Sequence, residues 1–308
     1  MSLQRLSKWL VSDNGKKACY YLAGGLTTST VFAHFLPQTL LLHKYKEIVQ
    51  LYQNGFPVEV SEKLKQRFQK VLDILQIDPK AQQLYQPIHV FGFDVFSIGS
   101  SFSKFGSFIG LPINFTYEDT RTINTSKLKI REESIIWDSE PAQKLLDSLV
   151  LSENAQLYAM AREIKHRQTL KPLLNAALSF QTVFLIYAVS RQINERFNFY
   201  AQPRSTRMLM YLLVGAFCGG IHAMGSDASQ IYYEGKIDKE LRQTDQAFVE
   251  GGKEFYEKIL QRNKALRSLL GKEGERLYTV HGNENYLIRQ KHLPIVQRKS
   301  SFEEQLAS

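Results

Sequence analysis

Three runs of nineteen residues, 18–36, 172–190 and 208–226, contain no Asp, Glu, Lys or Arg. A helix rises about 1.5 Å per residue, so each run spans close to 30 Å, the hydrocarbon thickness of a bilayer, with its backbone hydrogen bonds closed internally. The chain therefore reads as an α+β, mainly α-helical integral membrane protein, with an N-terminal anchor helix, a later transmembrane helical hairpin and a soluble domain carrying a small β-sheet. The expected organisation is a basic segment at 1–17, a transmembrane helix at 18–36, a soluble α+β domain at 37–171 and a transmembrane hairpin at 172–226 with a basic loop at 191–207. A helical continuation of the soluble domain follows at 227–295, then a disordered tail at 296–308.

The formal charge of +9 admits nucleic acid, anionic lipid or import into an organelle as its cause. No block of Lys and Arg is interleaved with aromatics in the manner of a nucleic-acid groove, so no nucleic-acid partner is expected. The basic residues gather instead at the flanks of the apolar runs, which favours the phospholipid bilayer and import. Arg5, Lys8, Lys16 and Lys17 against Asp13, with Leu3, Leu6, Trp9 and Leu10 at helical spacing, suit a mitochondrial targeting helix; a secretory signal is the competing reading. The first run, ended by Pro37, reads as a retained anchor. The only cysteines, Cys19 and Cys218, lie inside apolar runs and read as small packing residues.

Between the first two runs, 38–55 reads as a helix ending at Asn54-Gly55. Ser61-Glu62 opens another helix with Leu64, Phe68, Val71, Leu72 and Leu75 on one face. The stretch 88–115 turns to aromatics, β-branched residues and glycines, the texture of short strands and tight turns. Its glycines have neither dinucleotide nor phosphate-loop spacing. A strand is expected at 134–137, then a helix from Ser139-Glu140-Pro141 and a second after Ser152, with Leu157, Met160, Ala161 and Ile164 on its apolar side. Beyond Asp227 the pattern is helical to about Leu270, broken at Gly251-Gly252, and loop-like through Gly271, Gly274 and Gly282.

The hairpin loop carries Arg191, Arg196, Arg204 and Arg207 against Glu195. The positive-inside rule then sets the loop and the N-terminus on one side of the membrane and the soluble segments on the other. Arg162, Lys165, Arg167 and Lys171 crowd the opposite end of the second run, so an inverted or two-span arrangement stays open. Within the hairpin, Asn175, Ser179 and Thr182 form a polar stripe at i, i+4, i+7, and Gly215, Gly219 and Ala223 repeat every fourth residue. Such stripes serve either packing within the bundle or reception of a partner's helix. His34 and His222 fall inside apolar runs and read as neutral, hydrogen-bonded imidazoles.

One constellation has the frame of a catalytic motif. Arg162, Glu163 and His166 occupy the positions of H-E-x-x-H, where two His one turn apart bind zinc and the Glu activates water. A guanidinium keeps its proton and offers no lone pair, so Arg162 cannot be the first ligand. The order of elements is similar to that of integral-membrane zinc peptidases of the prenyl-protein-protease and stress-protease superfamily. In those a hairpin follows the motif helix, and a Glu four residues before an Asp supplies the third ligand. Here Asp245 stands in the Asp position, Leu241 in the ligand position and Glu240 beside it. Two of three ligands are missing unless Glu240 substitutes, so the plain reading is two polar residues on an amphipathic helix, and no catalytic residue, metal or cofactor is expected.

As a whole the chain resembles the transmembrane protein 177 family. The resemblance rests on the N-terminal anchor, FGSFIGLPINF at 105–115, LVLSE at 149–153, and GGKEFYEK at 251–258 with Arg262 and Asn263 after it. It implies a multi-pass protein of the mitochondrial inner membrane, acting in early maturation of cytochrome c oxidase subunit II. The implied partners are that newly made subunit, its membrane chaperone and its copper-delivery factors; the implied role is stabilisation without catalysis. A membrane metallopeptidase-like protein with a reconfigured zinc site, and a lipid-binding membrane-organising protein, are the alternatives.

Overall fold

In the computed structural model, residues 3–125, 128 and 136–307 are described. In chain order the elements are α1 (Leu3–Val11), α2 (Asp13–Phe35), α3 (Leu42–Val49), β1 (Tyr52–Gln53), β2 (Phe56–Pro57), α4 (Glu62–Ile74), α5 (Pro79–Gln82), β3 (Tyr85–Val90), β4 (Phe96–Gly99) and β5 (Ser107–Pro112). There follow α6 (Glu140–Leu149), α7 (Glu153–Arg167), α8 (Lys171–Arg196), α9 (Arg204–Thr244), α10 (Gln246–Leu269), α11 (Lys272–Leu277) and α12 (Ile295–Ala307). They divide into two compact units, 1–37 with 170–230, and 38–169 with 231–308.

The first unit is a helical bundle turned inside out. α2 lies along α8, and α8 meets α9 through Leu185, Ile186 and Ile193 against Met210, Val214 and Cys218. Most of the remaining apolar side chains, Phe180 and Phe184 on α8 and Leu212, Leu213, Phe217 and Ile221 on α9 among them, point outward. In α8 and α9 the most apolar stretches are only 11% and 17% buried, whereas the core helix of a water-soluble protein would be mostly buried. An unburied apolar helix of this length calls for lipid as its solvent. Two of the three expected spans meet this standard of length and apolarity. The third expected span, α2, forms a helix of 23 residues and is less apolar than these two, with Thr27, Thr28, Ser29 and Thr30 within it. Their hydroxyls donate back to the carbonyls of Ala23, Gly24, Gly25 and Thr27 at 2.7–2.9 Å, which satisfies them locally.

The second unit has one main core. Its sheet has the order β3-β5-β4, with β3 parallel and β4 antiparallel to the central β5. Every residue of β5, SFIGLP, is buried, the pattern of a strand covered on both faces. α7 packs on β4, β5, α4 and α10, and α10 packs on α6, α7 and α12. Tyr158, Met160, Ile164, Phe248, Tyr256 and Phe302 make up much of what lies between. Ser61 and Ser152 cap α4 and α7 by accepting from the Leu64 and Ala155 amides, as serines before an apolar-periodic run do. The end of α7 is further tied to α10, since the Ser152 amide donates to Glu254 Oε1 at 2.9 Å.

Several boundaries differ from the expectations. The helix expected across 38–55 ends at Val49, and Asn54 and Gly55, both with positive φ (53° and 82°), turn a two-stranded hairpin of β1 and β2. Of the strand expected at 134–137, 134 and 135 lie outside the described residues and Trp137 sits in a turn. The break placed at Gly251-Gly252 falls instead at Asp245, whose side chain caps α10 by accepting from the Ala247 amide at 2.7 Å. The two glycines stand inside α10 for close approach. A Cβ on Gly251 would meet the Asn154 carbonyl oxygen at 2.0 Å, and one on Gly252 would meet the Phe302 ring at 2.4 Å. The loop expected through Gly274 holds the short helix α11. The tail expected to be disordered at 296–308 is the helix α12, held by the fully buried Phe302 and the buried Arg298.

Gly251→Ala is therefore expected to destabilise the protein by about 1–3 kcal/mol. The gain of about 1 kcal/mol in helix propensity that alanine brings is outweighed, because backbone and not a flexible side chain must give way. Chemical denaturation of the detergent-solubilised full chain checks this; a stabilised variant would show that α7 and α10 are not so closely apposed.

Candidate functional site

The zincin-like frame lies in the second unit, on α7. Glu163 is only 6% exposed and both its oxygens are engaged. Oε1 accepts from Arg162 Nε at 3.2 Å and Nη2 at 2.8 Å, and Oε2 accepts from Ser97 Oγ of β4 at 2.5 Å. Burial pushes the Glu163 carboxyl up, but the Arg162 guanidinium, the neighbouring His166 and the Ser97 hydroxyl together hold it below the usual carboxylate range. Arg162 in turn lies over the Phe255 ring at 5.2 Å. A carboxylate held below its usual range and accepting three hydrogen bonds is a poor proton acceptor for an attacking water. Glu163 is the counter-ion of Arg162.

The other members of the frame are equally committed. Glu240 faces Lys165 at 3.7 Å and Lys236 at 3.9 Å. Leu241, at the position of a third ligand, is fully buried in the core, and Asp245 is the α10 cap described above. Among the described residues no three His, Cys, Asp or Glu side chains converge as a metal site would need. The fold thus brings Arg162 and Glu163 together, pairs Lys165 of the motif helix with Glu240 of α9, and uses Asp245 elsewhere. The plain amphipathic reading also needs correcting, because α7 is buried on almost every side, Gln156 and Glu163 included.

The hairpin stripes are found in the first unit. Ser179 Oγ lies 2.7 Å from His34 Nε2, joining α8 to α2. Thr182 Oγ1 donates to the Leu178 carbonyl at 2.7 Å and lies 3.2 Å from His222 Nδ1 on α9. Asn175 and Ala223 are half-buried. Gly215 and Gly219 face open space, where an added Cβ would find no atom within 4 Å. Helix-to-helix packing at the hairpin uses Gly225 instead, where an added Cβ would meet the Leu178 side chain at 3.3 Å.

A second polar cluster in the second unit has no counterpart in the sequence reading. Arg298 of α12 makes a two-pronged pair with Asp238 of α9, Nε to Oδ2 at 2.7 Å and Nη2 to Oδ1 at 2.8 Å. Tyr158 and Tyr256 both donate to Asp238 Oδ1, at 2.7 and 3.0 Å, and the guanidinium stacks over the Tyr256 ring at 4.6 Å. One turn earlier, Glu234 accepts from the Leu293 amide at 2.9 Å and lies 2.6 Å from His292 Nδ1. Burial opposes the charge on Arg298, but Tyr256 and Asp238 raise its pKa well above the ordinary guanidinium value. Burial likewise raises the hydroxyl pKa of Tyr158 and Tyr256, and Asp238 adds to it. All of these groups are saturated by one another, so the cluster is a clasp, not a reactive centre. The only sequence hint was a lone Arg and a lone Phe four residues apart on a polar segment, Arg298 and Phe302.

The profile of the family described as Transmembrane protein 177 matches residues 65–302. The chain belongs to the transmembrane protein 177 family. Family proteins named Transmembrane protein 177 are 30% identical in Danio rerio over 90% of this chain and 88% of theirs, 30% identical in Xenopus laevis over 92% and 90%, and 31% identical in Homo sapiens over 90% and 88%. No solved structure matches the chain. The family is named as a transmembrane protein, in keeping with the two unburied apolar helices, and its matched span runs from α4 to α12, taking in the Arg162–Glu163 pair and the Arg298–Asp238 clasp.

Two outcomes follow from these pairs. Arg298→Met leaves Asp238 buried without its partner, at a cost of about 3–5 kcal/mol, whereas the Arg298→Met, Asp238→Leu double variant recovers much of the loss; equilibrium unfolding of the three proteins checks this. For Glu163, the folded-state pKa lies below the unfolded one. Its contribution is thus complete above the unfolded value of about 4.3 and is lost as pH falls through the folded value. Glu163→Gln is expected to be less stable than the parent at pH 7, with the gap narrowing below pH ~4, as read by thermal melts across pH.

Proposed function

We propose that the protein is a non-catalytic assembly factor of the mitochondrial inner membrane, stabilising newly made cytochrome c oxidase subunit II together with that subunit's membrane chaperone and copper-delivery factors. The observation that carries the reading is the open face of α9. Gly215 and Gly219, one turn apart on a helix read as membrane-spanning, have no neighbour within 4 Å of where a side chain would begin. Small residues on a lipid-exposed helix let a second helix's backbone approach closely, and in lipid such packing replaces the hydrophobic effect as the drive for association. A newly inserted subunit with transmembrane helices of its own fits such a face. The non-catalytic part of the reading is supported by Arg162, whose cation occupies the carboxylate that a zinc peptidase would use on water. The basic amphipathic pattern of Arg5, Lys8, Lys16 and Lys17 supports import into mitochondria.

Gly215→Leu with Gly219→Leu fills the face, and the first side-chain carbon at either position meets no described atom within 4 Å. Expressed in cells lacking the native protein, the variant is expected to lose co-purification of the chaperone and to leave pulse-labelled subunit II short-lived. His166→Ala is expected to restore subunit II fully. If the glycine variant kept the chaperone, the α9 face would be rejected; if His166→Ala lost subunit II while remaining folded, the metallopeptidase-like reading would replace this one.

A further inference from the structure

At one end of the first unit the charged flanks of all three uncharged runs meet: Lys16 and Lys17 before 18–36, Arg191 after 172–190, and Arg204 and Arg207 before 208–226. They surround a cleft of about 910 Å³ between α2, α8 and α9. Its charge is lopsided. Among the described residues Glu195 is the one acid on its wall and is taken by Arg191 Nε at 2.8 Å, while Lys16 lies over the Tyr200 ring at 4.5 Å and 4.0 Å from Asp13. Lys17, Arg204 and Arg207 have no carboxylate partner among the described residues.

Deeper in the wall, polar atoms are held dry and unused. Ser190 is 8% exposed and Asn194 3% exposed, yet the Ser190 hydroxyl, the Asn194 carbonyl oxygen and the Arg207 Nε–H have no hydrogen-bond partner among the described residues. Asn194 is oriented by its amide nitrogen, which donates to the Ser190 carbonyl at 2.8 Å and to Tyr211 Oη at 3.0 Å. A buried donor left unmade costs about 1–3 kcal/mol, so the Ser190 hydroxyl, the Arg207 Nε–H and the Asn194 carbonyl oxygen, beside the further unpaired cations Lys17 and Arg204, point to a ligand with anionic oxygens and a hydroxyl. The cleft then continues away from its cations along Leu22 and Leu26 of α2 and Val183 and Ile186 of α8, residues within the uncharged runs. A free phosphate has no use for that arm; an amphiphile has.

We infer that this cleft is a binding site for an anionic glycerophospholipid, its headgroup phosphate held by Lys17, Arg204, Arg207 and Ser190 and an acyl chain lying against Leu26, Val183 and Ile186. Basic pockets between membrane helices at headgroup level recognise anionic lipids by charge, and the apolar arm adds burial of methylenes. The site uses the membrane unit alone and stands whether or not the subunit II reading holds.

The test is native mass spectrometry of the full chain purified in nonionic detergent, with phosphatidylglycerol, phosphatidylcholine or inorganic phosphate added. Phosphatidylglycerol adducts are expected to exceed phosphatidylcholine adducts at least about tenfold, the worth of one charge-assisted hydrogen bond. Arg204→Gln with Arg207→Gln is expected to abolish that preference, and Val183→Trp, which fills the apolar arm, to lower phosphatidylglycerol adducts without touching a cation. Equal binding of the two lipids, displacement of phosphatidylglycerol by inorganic phosphate, or retention of the preference in the folded double variant would each overturn the assignment. Should the double variant fail to fold, unchanged adducts with Val183→Trp would do so.

Discussion

Arg298 and Asp238 face each other with two parallel hydrogen bonds in a core that admits little water, and the closing of the second unit depends on them. An ion pair so placed contributes modest net stability, because taking two charges out of water costs nearly what their attraction returns. Its effect is on specificity. Asp238, once buried by Tyr158 and Tyr256, tolerates only a partner that supplies a positive charge in a planar fork, and Arg298 brings one on the last helix. With α12 docked, Phe302 fills the space that Gly252 leaves open on α10, and α10 can then press Gly251 against the start of α7. Helix α12, from Ile295, thus completes a core whose first helix, α4, begins at Glu62.

The same chemistry explains what could be read from the sequence and what could not. The uncharged runs were legible because lipid tolerates so few charges. The sheet around β5 was legible from its texture of glycines and β-branched residues, and the starts of α4, α6 and α7 from serines at the right distance before an apolar face. Those signals are local. α12 gave none, since one Phe and one Arg in a polar stretch resemble solvent-exposed sequence until the residues sixty positions away that receive them are known. Gly251-Gly252 gave the wrong signal for a related reason. A glycine pair breaks a helix by propensity, yet here the loss of about 1 kcal/mol per residue is offset by close packing of three helices.

The Arg162–Glu163 pair shows how little a motif's frame says about its chemistry. In a zinc site the glutamate needs a carboxylate free to take a proton and two neighbours with lone pairs. Replacing the first ligand with arginine does more than delete a ligand. It supplies a cation within 3 Å of the glutamate, lowers its proton affinity and, with Ser97, fills its acceptor positions. The charged residues that made α7 look amphipathic are drawn inward by this pairing, so the helix can be buried on nearly all sides while its sequence reads as half solvent-exposed.

The first unit uses polar groups in a different economy. Within lipid a hydroxyl or imidazole has no water to fall back on, so Ser179 finds His34 and Thr182 finds His222, each linking two helices. These links hold α2, α8 and α9 together with little apolar burial among them, which leaves the outer faces of α8 and α9 for lipid or a partner helix. Where Lys17, Arg204 and Arg207 gather, Ser190, Asn194 and Arg207 keep polar atoms without a partner among the described residues. A bundle that joins Ser179 to His34 and Thr182 to His222 across its helices, and leaves Ser190, Asn194 and Arg207 open beside Lys17 and Arg204, is arranged to take further hydrogen bonds from outside itself.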